Sequence, residues 1–242
     1  MKMTRTSSWI CAFLLATLAV AAEHQPTEQV VITPPKPKPL DSDVYQVQHE
    51  LKKAEIFPTV IDKFLPSFLL SAEWPSGEHA ELGNTVKVDD VQDKPTIKVH
   101  RGASDSSSMG RDAFRSDVTY TITITDPDAP SRENPEWSEF CHFIATGVTV
   151  SSDSSDVLRL AGLDDVMPYK PPGPPPKTGK HRYVFLLFAP ANGTTDRLRL
   201  SKPGDRKHWG TGKERHGVRD WADENGLEPV AANFIYAQNE EQ

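Results

Sequence analysis

The residues best suited to chemistry are Asp126, Asp128, His142 and His181. Two carboxylates and two imidazoles can act as general acids and bases, bind a metal, or hold a polar ligand. Histidine starts with a pKa near working pH, so His142 and His181 are the candidates for proton transfer, with Asp126 as an alternative base. Two carboxylates brought together raise one another's pKa, and one of them would then stay protonated and donate to an oxyanion. Backbone N–H groups on the loop from Gly173 to Gly179 can add anion contacts. Each residue also has a structural reading: Asp126 as an acceptor for turn amides, His142 as a hydrogen-bonded core histidine.

Sharper motifs fail on their spacing. Asp126-x-Asp128 lacks the α/β context of a metal–nucleotide site. The run Gly210-Thr-Gly-Lys213 is not a phosphate-binding loop, because Lys207 stands in place of the first glycine and Glu214 in place of the Ser/Thr. There is no Gly-x-Ser-x-Gly elbow and no histidine pair at zinc spacing on one helix. No metal or other cofactor is expected.

The elements that must position these groups read as short strands. Tyr120, Ile122 and Ile124 alternate with Thr121, Thr123 and Thr125, the pattern of a half-buried strand. It runs into Asp126-Pro-Asp-Ala-Pro130, where two prolines forbid helix and central strand. Phe140 to Ile144 is a second apolar strand carrying His142. His181 to Ala189 is a third, fed by the Pro/Gly-rich loop Asp165 to Gly179. Phe68–Leu70, Val86–Val88, Thr96–Val99 and Ala231–Tyr236 add further strands. Two helices are expected. One spans Asp41 to Ala54, capped by Asp41, Ser42 or Asp43, with Val44, Val47, Leu51 and Ala54 on one face. The other is Gly217 to Asn225, stopped by Gly226. His100 to Ser116 and Thr149 to Asp156 read as polar loops, and the last residues, NEEQ, as a frayed tail. Many short strands with two helices make a mainly β sandwich.

Composition bounds the rest. The chain has 242 residues, enough for one sizeable domain, and a formal charge of −7. An acidic chain with no basic block is a poor binder of nucleic acid or of anionic bilayers through broad electrostatics. Residues 1–22 read as a secretory signal peptide: Lys2 and Arg5, a short apolar run from Trp9 to Ala21, then small residues. Residues 23–40, with TPPKPKPL, read as a disordered proline-rich arm or a ligand for proline recognition. That leaves 41–242 as the domain. No second apolar run is long enough to span a membrane. Loss of the leader would leave Cys141 as the single cysteine, read as a buried small hydrophobe or as a thiol nucleophile. Asn192-Gly193-Thr194 is a glycosylation sequon.

Three blocks in order carry a family resemblance: DPDAPSR at Asp126–Arg132, EFCHF at Glu139–Phe143, and GPPPKTGKHRYVF from Gly173 to Phe185. The chain resembles the phosphatidylethanolamine-binding protein family, also called the Raf kinase inhibitor protein family, from about residue 45 to its end. The resemblance implies an antiparallel β-sandwich with peripheral helices and a small pocket for phosphate-like anions. It places Asp126, Asp128, His142, His181 and Tyr183 in or around that pocket, with Pro130, Gly173 and Pro174 in its wall. It also implies a cis Ala129–Pro130 bond. Two departures stand out: Phe140 replaces a tryptophan of the animal members, and Cys141 replaces a histidine. The short ending is more similar to the fungal branch, which includes an inhibitor of a serine carboxypeptidase. Three functions follow from the resemblance. One is a secreted or vesicular binder of a small anionic or phospholipid head-group ligand. Another is a serine carboxypeptidase inhibitor. The third is an enzyme, or a partner of a biosynthetic enzyme, in fungal secondary metabolism, dimerising anhydride monomers into maleidrides with His142 or Asp126 as base.

Overall fold

The computed structural model describes residues 44–100, 118–151, 157–161 and 163–242. The expected leader, proline-rich arm and helix caps lie outside the described residues, as do residues 101–116 and 152–156 of the expected loops His100–Ser116 and Thr149–Asp156; His100 and Thr149–Ser151, expected as loop, are strand because they pair with neighbouring strands. Nine strands form a sheet of order β1-β3-β6-β5-β4-β8-β9-β2, with β7 pairing β5 off this path. They are β1 (Leu69–Glu73), β2 (Asn84–Lys87), β3 (Thr96–His100), β4 (Tyr120–Asp126), β5 (Phe140–Ser151), β6 (Val157–Ala161), β7 (Asp164–Met167), β8 (His181–Pro190) and β9 (Leu227–Gln238). Every pairing is antiparallel except β2 with β9.

The sheet turns back on itself through β5. Its first part pairs with β4, whereas Thr149–Ser151 pairs with β6. A core forms between the layers. Tyr120, Ile122 and Ile124 of β4, Phe143 of β5 and Tyr183, Phe185 and Leu187 of β8 face Leu70, Ile97 and Val99. The alternate residues of β8, Val184, Leu186 and Phe188, point to the other face. There they meet helix α1 (Val44–Lys53), the short turn α2 (Ile56–Thr59) and helix α3 (Val218–Glu224). Val44, Val47, Leu51 and Ala54 are all buried in this second core, as their spacing requires. The result is the mainly β sandwich with a few peripheral helices.

Helix cover changes one expectation. β4 is not half-buried: all seven of its residues are buried, the threonines included. Thr121 Oγ1 donates to Thr146 Oγ1 at 3.2 Å and Thr125 Oγ1 to Glu139 Oε2 at 3.0 Å. Alternation of Ile with Thr therefore marks two chemically different buried faces; Thr121 and Thr125 bury their hydroxyls against acceptors, whereas Thr123 Oγ1 has no partner among the described residues.

Candidate anion site

Because β5, β4 and β8 are neighbours, their ends bring three sequence-distant blocks together. β4 delivers Asp126 at its last position, β8 opens with His181 and Tyr183, and β5 carries His142. The chain turns after β4 through a cis Ala129–Pro130 bond. These residues line a cavity of about 350 Å³ with Pro130, Trp137, Phe140 and the loop Lys170 to Pro175.

The hydrogen bonds determine what each group can do. Asp126 Oδ1 accepts the Asp128 N–H at 2.7 Å, and Oδ2 accepts His181 Nδ1–H at 2.8 Å. The turn-amide reading and the site reading of Asp126 thus both hold. His181 Nε2 lies 3.0 Å from Thr178 Oγ1, whose single proton goes to the Pro175 carbonyl at 2.8 Å. With its proton on that carbonyl, Thr178 Oγ1 can accept from Nε2, and with Nδ1–H given to Asp126 these surroundings favour the doubly protonated ring. Burial pulls its pKa down, but the hydrogen bond and charge of Asp126, with Asp128 and the Pro130 backbone, outweigh burial and leave it above 6.5.

His142 is the opposite case. Nδ1 lies 2.8 Å from the Lys170 carbonyl, which can only accept, so Nδ1 carries the proton. Burial lowers its pKa below 6.5, aided by Arg206 and Lys170 and only partly opposed by Asp126 and the Lys170 carbonyl. His142 is therefore neutral near pH 7, and its Nε2 presents a lone pair. Its ring packs 5.1 Å from Phe140 and 5.1 Å from Tyr183. Burial first, then the charge of Asp126, push the Tyr183 phenol well above 10 despite a backbone hydrogen bond from Gly173.

Asp128 is not a member of the cavity lining. It accepts the Arg182 backbone N–H at 2.8 Å, Nε–H at 2.9 Å and Nη2–H at 2.6 Å. Arg182 Nη1 goes on to the Ala54 carbonyl at 2.7 Å, tying the turn to the end of α1. With donors on both oxygens, Asp128 has no place for a proton to offer an oxyanion, and the expected carboxylate pair does not form. Its partner Arg182 lies inside the HRY block, where the pairing of a buried acid with a neighbouring block's arginine was the available signal.

Other contributors went unrecognised in the sequence. Arg206 donates to the Cys141, His142 and Pro168 carbonyls at 2.9, 3.2 and 2.8 Å, holding His142 to the loop. Lys170 N–H donates to the His142 carbonyl at 2.8 Å. Trp137 lines the mouth, with Lys207 Nζ 3.9 Å from its ring centroid. Gly173 and Pro174 are in the wall. Cys141 is fully buried and burial raises its thiol to about 12, so it is a core residue and not a nucleophile. Asn192 sits on an exposed turn after β8, its Oδ1 accepting the Thr194 N–H at 3.0 Å.

Comparison with known proteins agrees with this geometry. A family model described as phosphatidylethanolamine-binding protein matches residues 76–235. The chain is 34% identical over 203 residues to the carboxypeptidase Y inhibitor of Saccharomyces cerevisiae, covering 77% of this chain and 92% of that protein. It is 31% identical to CEN-like protein 4 of Nicotiana tabacum, over 75% of this chain and 87% of that protein. Among solved structures, carboxypeptidase Y inhibitor complexed with its cognate proteinase superposes with a TM-score of 0.71 at 33% identity, covering 81% of this chain and 96% of the inhibitor. The Plasmodium vivax phosphatidylethanolamine-binding protein shares the fold, with a TM-score of 0.57 at 21% identity over 80% of this chain and 97% of that one. With the family model matching well over half of the chain and the three blocks converging on one cavity, the chain belongs to the phosphatidylethanolamine-binding protein family.

Proposed function

We propose that the protein binds a small anionic ligand, such as a phosphoryl or phospholipid head group, in the cavity between the Asp126–Pro130 turn and the Gly173–Tyr183 segment. One observation carries this reading: a buried histidine, His181, fixed by Asp126 and biased toward its charged form, lies under a concave site whose other histidine keeps one ring nitrogen uncommitted. Apolar walls with a few convergent polar groups are the make-up of a small-ligand site. The test is a titration of the protein with monoethyl phosphate followed by amide NMR shifts. Shifts at His142, Tyr183 and Gly173 that vanish in His142→Ala support the reading. Equal binding by that variant overturns it.

A second reading is inhibition of a serine carboxypeptidase, favoured by the 34% identity to a carboxypeptidase Y inhibitor across 92% of that protein. Surface segments would then make the contact, and His142→Ala would inhibit as well as the parent. The neutral His142 is also a competent base for a carbon acid. Mass spectrometry of the same incubations separates the two: ligand depletion without product is binding, and a new product made only by the parent is catalysis. We further infer passage through the secretory pathway with residues 1–22 removed and Asn192 glycosylated. The N-terminal sequence and a glycosidase-induced mass loss of the secreted protein test this.

A further inference from the structure

We propose that the cavity catalyses keto–enol interconversion of small 2-oxo carboxylates, with His142 carrying the proton and Tyr183 holding the carbonyl oxygen. The proposal rests on the anion-binding reading above, because the carboxylate is the anion bound there. It goes beyond that reading by naming a reaction and a second reacting residue.

Two side chains of the lining are complementary in their hydrogen bonding. His142 Nδ1–H is committed to the Lys170 carbonyl at 2.8 Å, and the Lys170 N–H returns to the His142 carbonyl at 2.8 Å. Arg206 Nη1 donates to the same His142 carbonyl at 3.2 Å. The ring is thereby tied to the wall loop, and Nε2 keeps a lone pair with no partner among the described residues. Tyr183 is the reverse. Its phenol oxygen takes a backbone hydrogen bond from Gly173, so its own hydrogen is left to donate. Burial and the charge of Asp126 make the phenol hold that hydrogen firmly. The two rings meet edge to face, with centroids 5.1 Å apart and planes at 80°, and both line the same cavity. An acceptor without a proton thus stands beside a donor that does not give its proton up.

A carbonyl with an acidic C–H beside it matches this pair. The Tyr183 O–H donates to the carbonyl oxygen. His142 Nε2 takes a proton from the adjacent carbon, the C–H electron pair becomes the C=C bond, and the carbonyl π pair moves to oxygen. The imidazolium that forms is steadied at Nδ1 by the Lys170 carbonyl. It hands its new proton to that oxygen, which gives the enol and restores neutral His142. The reverse path returns the ketone. Nothing is oxidised or reduced, and no co-reactant is consumed.

The surroundings suit this chemistry. Burial keeps His142 unprotonated near pH 7, so the base is ready and its conjugate acid gives the proton back easily. Pro130, Phe140, Pro171, Pro172 and Pro174 make the wall apolar, which strengthens a hydrogen bond to an oxygen that gains charge. His181, biased toward its charged form, favours a carboxylate in the same cavity. A 2-oxo acid carries its carboxylate next to its carbonyl, so one small molecule meets all three groups.

The probe is 2-oxobutanoate in deuterium oxide, followed by proton NMR. The methylene next to its ketone carries two hydrogens that only a chiral site tells apart. The parent is expected to replace one and leave the other, whereas buffer and free amines exchange both. His142→Ala should slow this exchange by about a hundredfold or more, the scale of a general base. Tyr183→Phe should slow it by about a hundredfold or more, the scale of one oxyanion donor. That variant should still bind propionate, as amide shifts report, which separates a lost reaction from a lost fold. The rate at saturating substrate should rise with pH below 6.5 and level off by neutrality, as His142 loses its second proton. Propionate binding by the parent without exchange above buffer overturns the proposal and leaves anion binding intact. Equal exchange of both hydrogens, or full exchange in Tyr183→Phe, does the same. So does a covalent adduct after borohydride reduction, which marks a lysine Schiff base as the route. No exchange and no amide shifts with propionate or monoethyl phosphate overturn the anion-binding reading and this proposal with it.

Discussion

His142 and His181 have the same side chain and pKa values shifted in opposite directions: burial pulls His142 down, whereas the Asp126 carboxylate holds His181 up. This difference makes anion affinity depend on pH at both ends. On acidification below 6.5, His142 gains its Nε2 proton and the acceptor becomes a donor, so affinity for monoethyl phosphate should rise, provided the phosphate stays charged. As pH climbs through the raised value of His181, its positive charge is lost and affinity should fall. A titration of the dissociation constant from pH 5 to 9 checks both limbs, and His142→Gln should remove the acidic limb alone. Asp128 makes a purely structural prediction. It pairs with Arg182 at 2.6 Å with both side chains buried. Losing one partner of such a pair costs about 3–5 kcal/mol. Arg182→Met should therefore lower urea stability by about that much, and Asp128→Asn/Arg182→Met by less than the sum of the two single changes.

At the scale of elements, the cavity wall is held from a place the sequence reads as loose. The final residues do not fray. Lys177 N–H donates to the Glu241 carbonyl at 2.8 Å, Gly179 N–H to Gln242 Oε1 at 3.1 Å, and Asn239 Nδ2 to the Pro174 carbonyl at 3.2 Å. The extension of β9 past Tyr236 to Gln238 carries them to the loop. Removing residues 240–242 should therefore speed amide exchange at Lys177 and Gly179 while leaving the sheet's protection unchanged. It should also weaken monoethyl phosphate binding severalfold. Unchanged exchange in the loop would mean that the prolines alone keep it rigid.

At the scale of the whole molecule, Glu139 ties stability to pH. It is fully buried behind β4, one carboxyl oxygen has no hydrogen-bond partner among the described residues, and burial above all raises its pKa to about 8. Thr125 Oγ1 at 3.0 Å is its nearest donor, and Gly217 packs so closely that an added Cβ would lie 2.7 Å from Glu139. A folded pKa above the unfolded one means the folded state holds the proton. Its stabilising contribution is full below about 4.5 and is lost as pH rises to about 8, a slope of about 1.4 kcal/mol per unit within that window. His181, also raised, adds a loss of the same sign above 6.5. Urea midpoints from pH 4.5 to 8.5 should fall, and Glu139→Gln should flatten the part of the slope below pH 8. Gly217→Ala should destabilise more than an ordinary glycine replacement, because the neighbour it meets cannot move.

The sequence by itself determined the elements and the family. Alternation gave seven of the nine strands, missing β6 and β7, i,i+3 and i,i+4 spacing gave α1, and three motif blocks named the fold and seven of the residues that line the cavity: Asp126, Pro130, His142, Gly173, Pro174, His181 and Tyr183. These are local signals, set by backbone sterics and residue type. Tertiary structure decided the charges. Whether a histidine is neutral or positive depends on which atom lies 2.8 Å from its ring, a carbonyl 28 residues away for His142 and a carboxylate 55 residues away for His181. The same is true of Asp128, drawn out of the site by Arg182, and of Thr121, Thr123 and Thr125, buried because helices cover a face that alternation alone assigns to solvent. It also holds for Lys170, Arg206 and Trp137, which no periodicity marks. Long-range contacts set local dielectric and hydrogen-bond partners, and these determine what a side chain can do once its position is known.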